Sequence, residues 1–250
     1  MNKKDKALPL PLTAHLYELR ARLFGVLGFF AVALLLCWTL RAEIYDIMTA
    51  PLAEAMARAG VKPSLIATSL LDGFVGMLGL VFAAAFLLTL PYVGVQAWLF
   101  ISPALYAEER RPALAIMLLT PMLFFVGVVF CYYLVLPNAI YFLATFVDNA
   151  DLGTPLLMMP RMTEYLNLSK ALLGAFGLAF LFPLALVALT RSGVVKRESL
   201  AHGRKYAAVL IFIAAAMLTP PDVASQILLA VPLMIMYEIA ILCAPRHAPV

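Results

Sequence analysis

GFVGMLGLVFAAAFLLTLPYVGVQAWLFISPALYA, residues 73–107, runs for 35 positions without a charged side chain. A helix needs about 20 predominantly apolar residues to cross the hydrocarbon core of a bilayer, so this stretch holds a full crossing plus an exit segment. The same pattern recurs on either side. Leu23–Leu40, Pro112–Val147, Ala171–Thr190, Tyr206–Pro221 and Val223–Tyr237 are also free of charge. Hydrophobic residues make up 64% of the 250-residue chain and charged ones 13%, against about 25% charged in an average soluble domain. A water-solvated fold of this size has too little interior to hide that apolar surface, so a lipid-solvated helical bundle is expected.

The reading is therefore all-α: one polytopic membrane domain over residues 1–250, with spans near 22–41, 73–99, 113–136, 166–190, 205–218 and 224–243. The last two spans look short. Pro91, Pro121, Pro183 and Pro232 fall inside spans and predict kinks, because each lacks an N–H and crowds the carbonyl four residues back. Lys and Arg divide unevenly between alternate loops, 13 against 4, and the positive-inside rule puts the richer set, with both termini, in the cytoplasm. The first residues are polar and no small-residue cleavage motif follows the first apolar run, so no cleaved signal peptide is expected.

Several function classes fall away. No HExxH, GxSxG or Ser/Lys pattern is present, and His15, His202 and His247 are far apart, so neither an enzyme nor a metal or cofactor site is expected. Cys37, Cys131 and Cys243 read as small hydrophobes. No basic cluster is interleaved with aromatics, which argues against nucleic acid. A secondary transporter or channel for a small solute is the rival class, but the mid-span acids that ion coupling uses are missing. Lys170 and Glu238 are the ionisable residues within spans. Lys170 is expected to snorkel outward, and Glu238 to meet solvent or a basic neighbour near the cytoplasmic end.

The informative acids lie at the cytoplasmic rim. Glu18 precedes the first span beside Arg20 and Arg22, and Glu109 precedes the third beside Arg110 and Arg111. Spacing alone leaves two readings open. These carboxylates either neutralise adjacent arginines as weak surface pairs, or accept bidentate hydrogen bonds from guanidinium groups on a visiting peptide. Asp222 is placed to cap the last helix, and Gln226 in its first turn is placed to bond a neighbouring span.

Four segments in order carry a resemblance: PLTAHLYELRARL (11–23), IYDIMTAPL (44–52), QAWLFISPALYAEERRP (96–112) and LTPPDVASQILLAVPLMIMYEI (218–239). Together they resemble TatC, the multispanning receptor family of twin-arginine protein translocation. The resemblance implies six helices in a concave bundle and recognition of twin-arginine signal peptides on folded cargo. It also implies TatA- and TatB-type single-span partners, self-assembly into receptor complexes, and export across the bacterial inner membrane driven by the proton-motive force. By motif match, Glu18 and Glu109 contact the signal-peptide arginines, and Arg20 and Phe100 share those regions. Pro51 and Asp222 match sensitive loop positions, and Gln226 matches a partner-helix contact. One departure stands out: relatives commonly carry a glutamate in the fourth span where this chain has Leu181. Lys170, eleven positions earlier, falls about 20° away on an uninterrupted helical wheel.

Overall fold

The structure is a computed structural model that describes residues 12–62, 64–101, 107–149, 159–191, 195–218 and 223–244. It is a helical bundle. Helices α1 (Leu12–Thr39) and α3 (Asp72–Ile101) pack along their lengths, and the shorter α2 (Arg41–Arg58) follows α1 in the chain. Next come α4 (Ala107–Phe130), a π-helical turn (Cys131–Val135) and α5 (Leu136–Asn149), which form one continuous rod. After the second long loop come α6 (Met162–Ala179), α7 (Phe182–Arg191), α8 (Arg197–His202), α9 (Arg204–Leu218) and α10 (Val223–Cys243). Among the described residues, five helical stretches are long and apolar enough to cross a membrane: 16–39, 72–97, 114–145, 162–190 and 225–243. The chain is a multi-pass membrane protein.

The last two helices differ from each other. With 15 residues α9 rises about 22 Å, short of the roughly 30 Å hydrocarbon core. With 21 residues α10 rises about 31 Å and is not short. The uncharged window ends at Tyr237, but the span expected over 224–243 includes Glu238, and α10 runs through that residue with its charge matched. Arg204 approaches the Glu238 carboxylate through Nε at 2.8 Å and Nη2 at 2.9 Å, tying the start of α9 to the end of α10.

Proline sets the breaks. Pro183 lacks an N–H, and α6 gives way to α7 in a turn at Phe180–Leu181. The wheel angle linking Lys170 to Leu181 therefore does not survive, since Leu181 lies beyond the end of α6. In the α4–α5 rod the widened turn at Cys131–Val135 lies just before Pro137, whose ring would crowd a regular α-helical turn.

Pro51 acts differently. It is buried within α2, and without an N–H it leaves the Ile47 carbonyl lacking its intrahelical donor. Tyr132 of the π-helical turn fills the vacancy, its hydroxyl donating to Ile47 O at 2.6 Å. Tyr165 of α6 donates to the adjacent Met48 O at 2.5 Å. These bonds seat α2 on the bundle, with Leu52, Ala55 and Met56 in the main core beside Val135, Ile140 and Tyr165. Tyr132→Phe is expected to cost about 1 kcal/mol by orphaning the Ile47 carbonyl, read as a lower midpoint in detergent thermal unfolding.

The helices α4 and α6 approach most closely at two glycines. A Cβ on Gly127 would stand 2.7 Å from the Phe176 carbonyl oxygen, and one on Gly177 would stand 2.5 Å from the Phe124 ring. Such small residues let backbones meet where lipid supplies no hydrophobic drive between helices. At the end where α3 and α6 begin, the residues leading into the two helices are stitched together. Ile66 and Arg161 form an isolated parallel bridge, and Asp72 Oδ2 accepts from Thr68 N, Thr68 Oγ1 and Ser69 N at 2.8–3.0 Å. Arg161 adds a 3.4 Å ion pair to Asp72 and a 3.1 Å pair to Glu164.

Candidate functional site: a carboxylate rim at the start of the first helix

The site lies where α1 begins, α3 ends and α4 begins. Glu18 and Arg22 are one helical turn apart on α1, so their side chains share a face. Arg22 donates through Nε (3.1 Å) and Nη2 to a single oxygen, Oε1 of Glu18. The same guanidinium reaches α3, donating to Gln96 Oε1 at 3.3 Å and to Leu99 O at 3.0 Å. Leu99 lies in the last turn of α3, where carbonyls lack intrahelical donors and the helix dipole favours a cation. Arg22 thus caps α3 while it orients Glu18.

The support continues inward. Gln96 donates from Nε2 to Tyr92 OH at 2.7 Å, and the Tyr92 ring stacks on Phe29 of α1 with centroids 4.5 Å apart. Glu18 is left partly exposed, its side chain at 32% and that of Arg22 at 21%. Both described contacts to Glu18 use Oε1, so among the described residues Oε2 stays open to an incoming donor. The geometry is that of the neutralising pair, with no described donor on the second oxygen.

The other sequence-derived residues distribute as follows. Arg20 is exposed, with its guanidinium carbon 5.6 Å from the Phe24 ring centroid, a cation–π contact on the flank of α1. Phe100 is half-buried in the last turn of α3. Glu109 lies in the first turn of α4, where the helix dipole favours a carboxylate. Its side chain is outside the described residues. The five residues 102–106 that join α3 to α4 reach about 20 Å at most, which keeps Glu109 at the same end of the bundle as Glu18. Pro51 lies in α2, far along the chain from this rim. Asp222 lies outside the described residues. Gln226 bonds within the chain, its Nε2 donating to Phe212 O of α9 at 3.1 Å.

Sequence reasoning missed the part played by Arg22 and Gln96. The i,i+4 spacing of Glu18 and Arg22 was a legible signal, but the cap on Leu99 depends on how α1 lies against α3. Among the described residues no group of His, Cys, Asp and Glu could hold a metal ion.

A model of the Sec-independent protein translocase protein (TatC) family matches residues 14–232. The chain belongs to the TatC family. TatC of Magnetococcus marinus is 40% identical over 92% of this chain and 82% of its own length. TatC of Escherichia coli K12 is 35% identical over 92% of this chain and 86% of its own. The fold agrees with a crystal structure of the twin arginine translocase receptor TatC at a TM-score of 0.70 and 32% identity, covering 92% of this chain and 97% of that one. As a TatC, the chain is a component of a protein translocase, which implies a complex with other subunits, and it is a transport protein rather than an enzyme. The four segments quoted from the sequence all fall wholly or largely within the matched region.

Proposed function

We propose that this TatC is the signal-peptide receptor of a twin-arginine translocase in a bacterial inner membrane, with six spans and both termini in the cytoplasm. Paired arginines of a signal peptide bind at the rim, one guanidinium on Glu18 and the other on Glu109. The apolar part of the peptide then lies along the bundle, and TatA- or TatB-type single-span proteins are recruited for export driven by the proton-motive force. The observation that carries the reading is Glu18, a partly exposed carboxylate with no donor to Oε2 among the described residues, held in place by an arginine that is itself anchored to α3. Guanidinium is the matching group, because its charged N–H donors form strong hydrogen bonds to the oxygen that Arg22 does not occupy. Arg20, stacked on Phe24, adds positive charge beside the site and favours a peptide whose arginines are oriented toward the two acids.

Site-specific photocrosslinking tests the assignment. With a probe at position 100, a twin-arginine precursor should crosslink to the wild-type chain, and Glu109→Gln should reduce the adduct about tenfold or more. Undiminished crosslinking and export in Glu109→Gln would remove that residue from the site.

A further inference from the structure

Lys170 is the one basic residue set deep within a described span. It lies eight residues into α6, about 12 Å from the start of that helix. Its side chain lies against α3. A Cβ built on Gly79 would stand 2.7 Å from Lys170 Nζ, so the ammonium rests against the α3 backbone at the level of Gly79. Gly79 is seven residues, about 10 Å, inside the start of α3. The Asp72–Arg161 ion pair sets the starts of α3 and α6 level with each other. The ammonium therefore lies about 10 Å inside the level at which α3 and α6 begin.

No counter-charge meets it from within. Among the described residues Lys170 makes no ion pair and no hydrogen bond, and the charges at the nearby helix ends, Asp72, Arg161 and Glu164, are engaged with one another. The uncharged windows of a second copy hold no Asp or Glu, and Glu238, near the cytoplasmic end expected for the last span, is paired to Arg204. Ionisable groups at this depth pair with a partner or line a functional path. The face around Lys170 suits a helix: Gly174, one turn on, has open space where a Cβ would be, and Leu178, one turn further, is 64% exposed.

We propose that Lys170 is a docking cation for a single-span membrane subunit, pairing with an Asp or Glu about 10 Å inside the matching end of that subunit's helix. The inference rests on the reading of this chain as a translocase core that recruits single-span partners. It adds a charge requirement on the partner: one carboxylate, at one depth, facing the α3–α6 seam. Lys170→Glu should reduce co-purification of the partner because two carboxylates then face each other in lipid. Lys170→Arg should preserve it.

The test uses the full chain co-expressed in membranes with the single-span subunits encoded beside it. Lys170→Glu should lower partner yield about tenfold, and exchanging the partner's carboxylate for Lys should restore it. Lys170→Leu, which removes the charge without adding a repulsive one, serves as the folding check through its thermal stability. The inference is overturned if Lys170→Glu and Lys170→Leu retain the partner as the wild type does, if the reciprocal exchange fails to restore it, or if the partner's span has no carboxylate. Precursor crosslinking at the rim reports separately on the receptor reading. Intact crosslinking alongside an indifferent Lys170 overturns the docking role alone.

Discussion

Glu18→Gln is expected to weaken binding of a twin-arginine peptide about ten- to a hundredfold, since a hydrogen bond to a charged group contributes roughly 1.5–3 kcal/mol. The substitution is chosen for what it leaves intact. Glutamine keeps an oxygen at the Oε1 position, so Arg22 can go on donating to it and to Gln96 and Leu99. What disappears is the negative charge and the acceptor at Oε2, where glutamine presents an N–H₂ that repels a guanidinium. Binding of a labelled peptide to the protein in nanodiscs measures the effect, with a peptide carrying two lysines as the comparison. Wild-type binding should also fall with added salt, because the site is partly exposed. Equal affinity of wild type and Glu18→Gln would leave Glu18 as a partner for Arg22 and nothing more.

The largest stability loss is expected at Gly127. A methyl group there meets the Phe176 carbonyl, a backbone atom in a packed helix, so α6 must retreat from α4 as a body. Gly127→Ala should cost about 1–3 kcal/mol and Gly127→Leu more, because overpacking of a close contact displaces backbone. Gly177→Ala meets the Phe124 ring, which has some freedom to turn, and should fall at the lower end of that range. Gly28 is the control. A Cβ there meets nothing within 4 Å, so Gly28→Ala should be neutral or stabilise by up to about 1 kcal/mol through helix propensity. Thermal unfolding in detergent, read by intrinsic fluorescence, ranks the four variants. Equal midpoints for Gly127→Leu and wild type would mean that α4 and α6 do not meet at these glycines.

Much of the bundle was visible in the sequence because lipid imposes a simple rule. An apolar run of span length must be helical, since no other regular segment bonds all its own backbone groups. The run at 73–107 became α3 on that rule, and its end at Ile101 precedes the polar rim. The rule is silent about where a helix passes through a charge. Glu238 was expected inside the last span beside solvent or a basic neighbour, but that the neighbour is Arg204 of α9 depends on how two helices pack. It is silent too about the consequence of a proline: Pro183 separates α6 from α7, while Pro51 frees a carbonyl that Tyr132 then occupies. The candidate site was half legible. Glu18, Glu109 and the arginines beside them stand out as acids at the edge of apolar runs, but the anchoring of Arg22 on Gln96 and Leu99 joins residues more than seventy positions apart.

Taken alone, the amino-acid sequence determined the class of solvent, the helical nature of the chain, the family and the residue types at the rim. These follow from composition, run length and local motifs, each of which acts within a few helical turns. Only the tertiary structure decided which oxygen of Glu18 Arg22 occupies, where α4 and α6 touch, and that the Lys170 ammonium rests against Gly79 of α3. Those outcomes depend on how helices far apart in the chain lie against one another. Side-chain reach and backbone approach are then settled by packing, which no local pattern encodes.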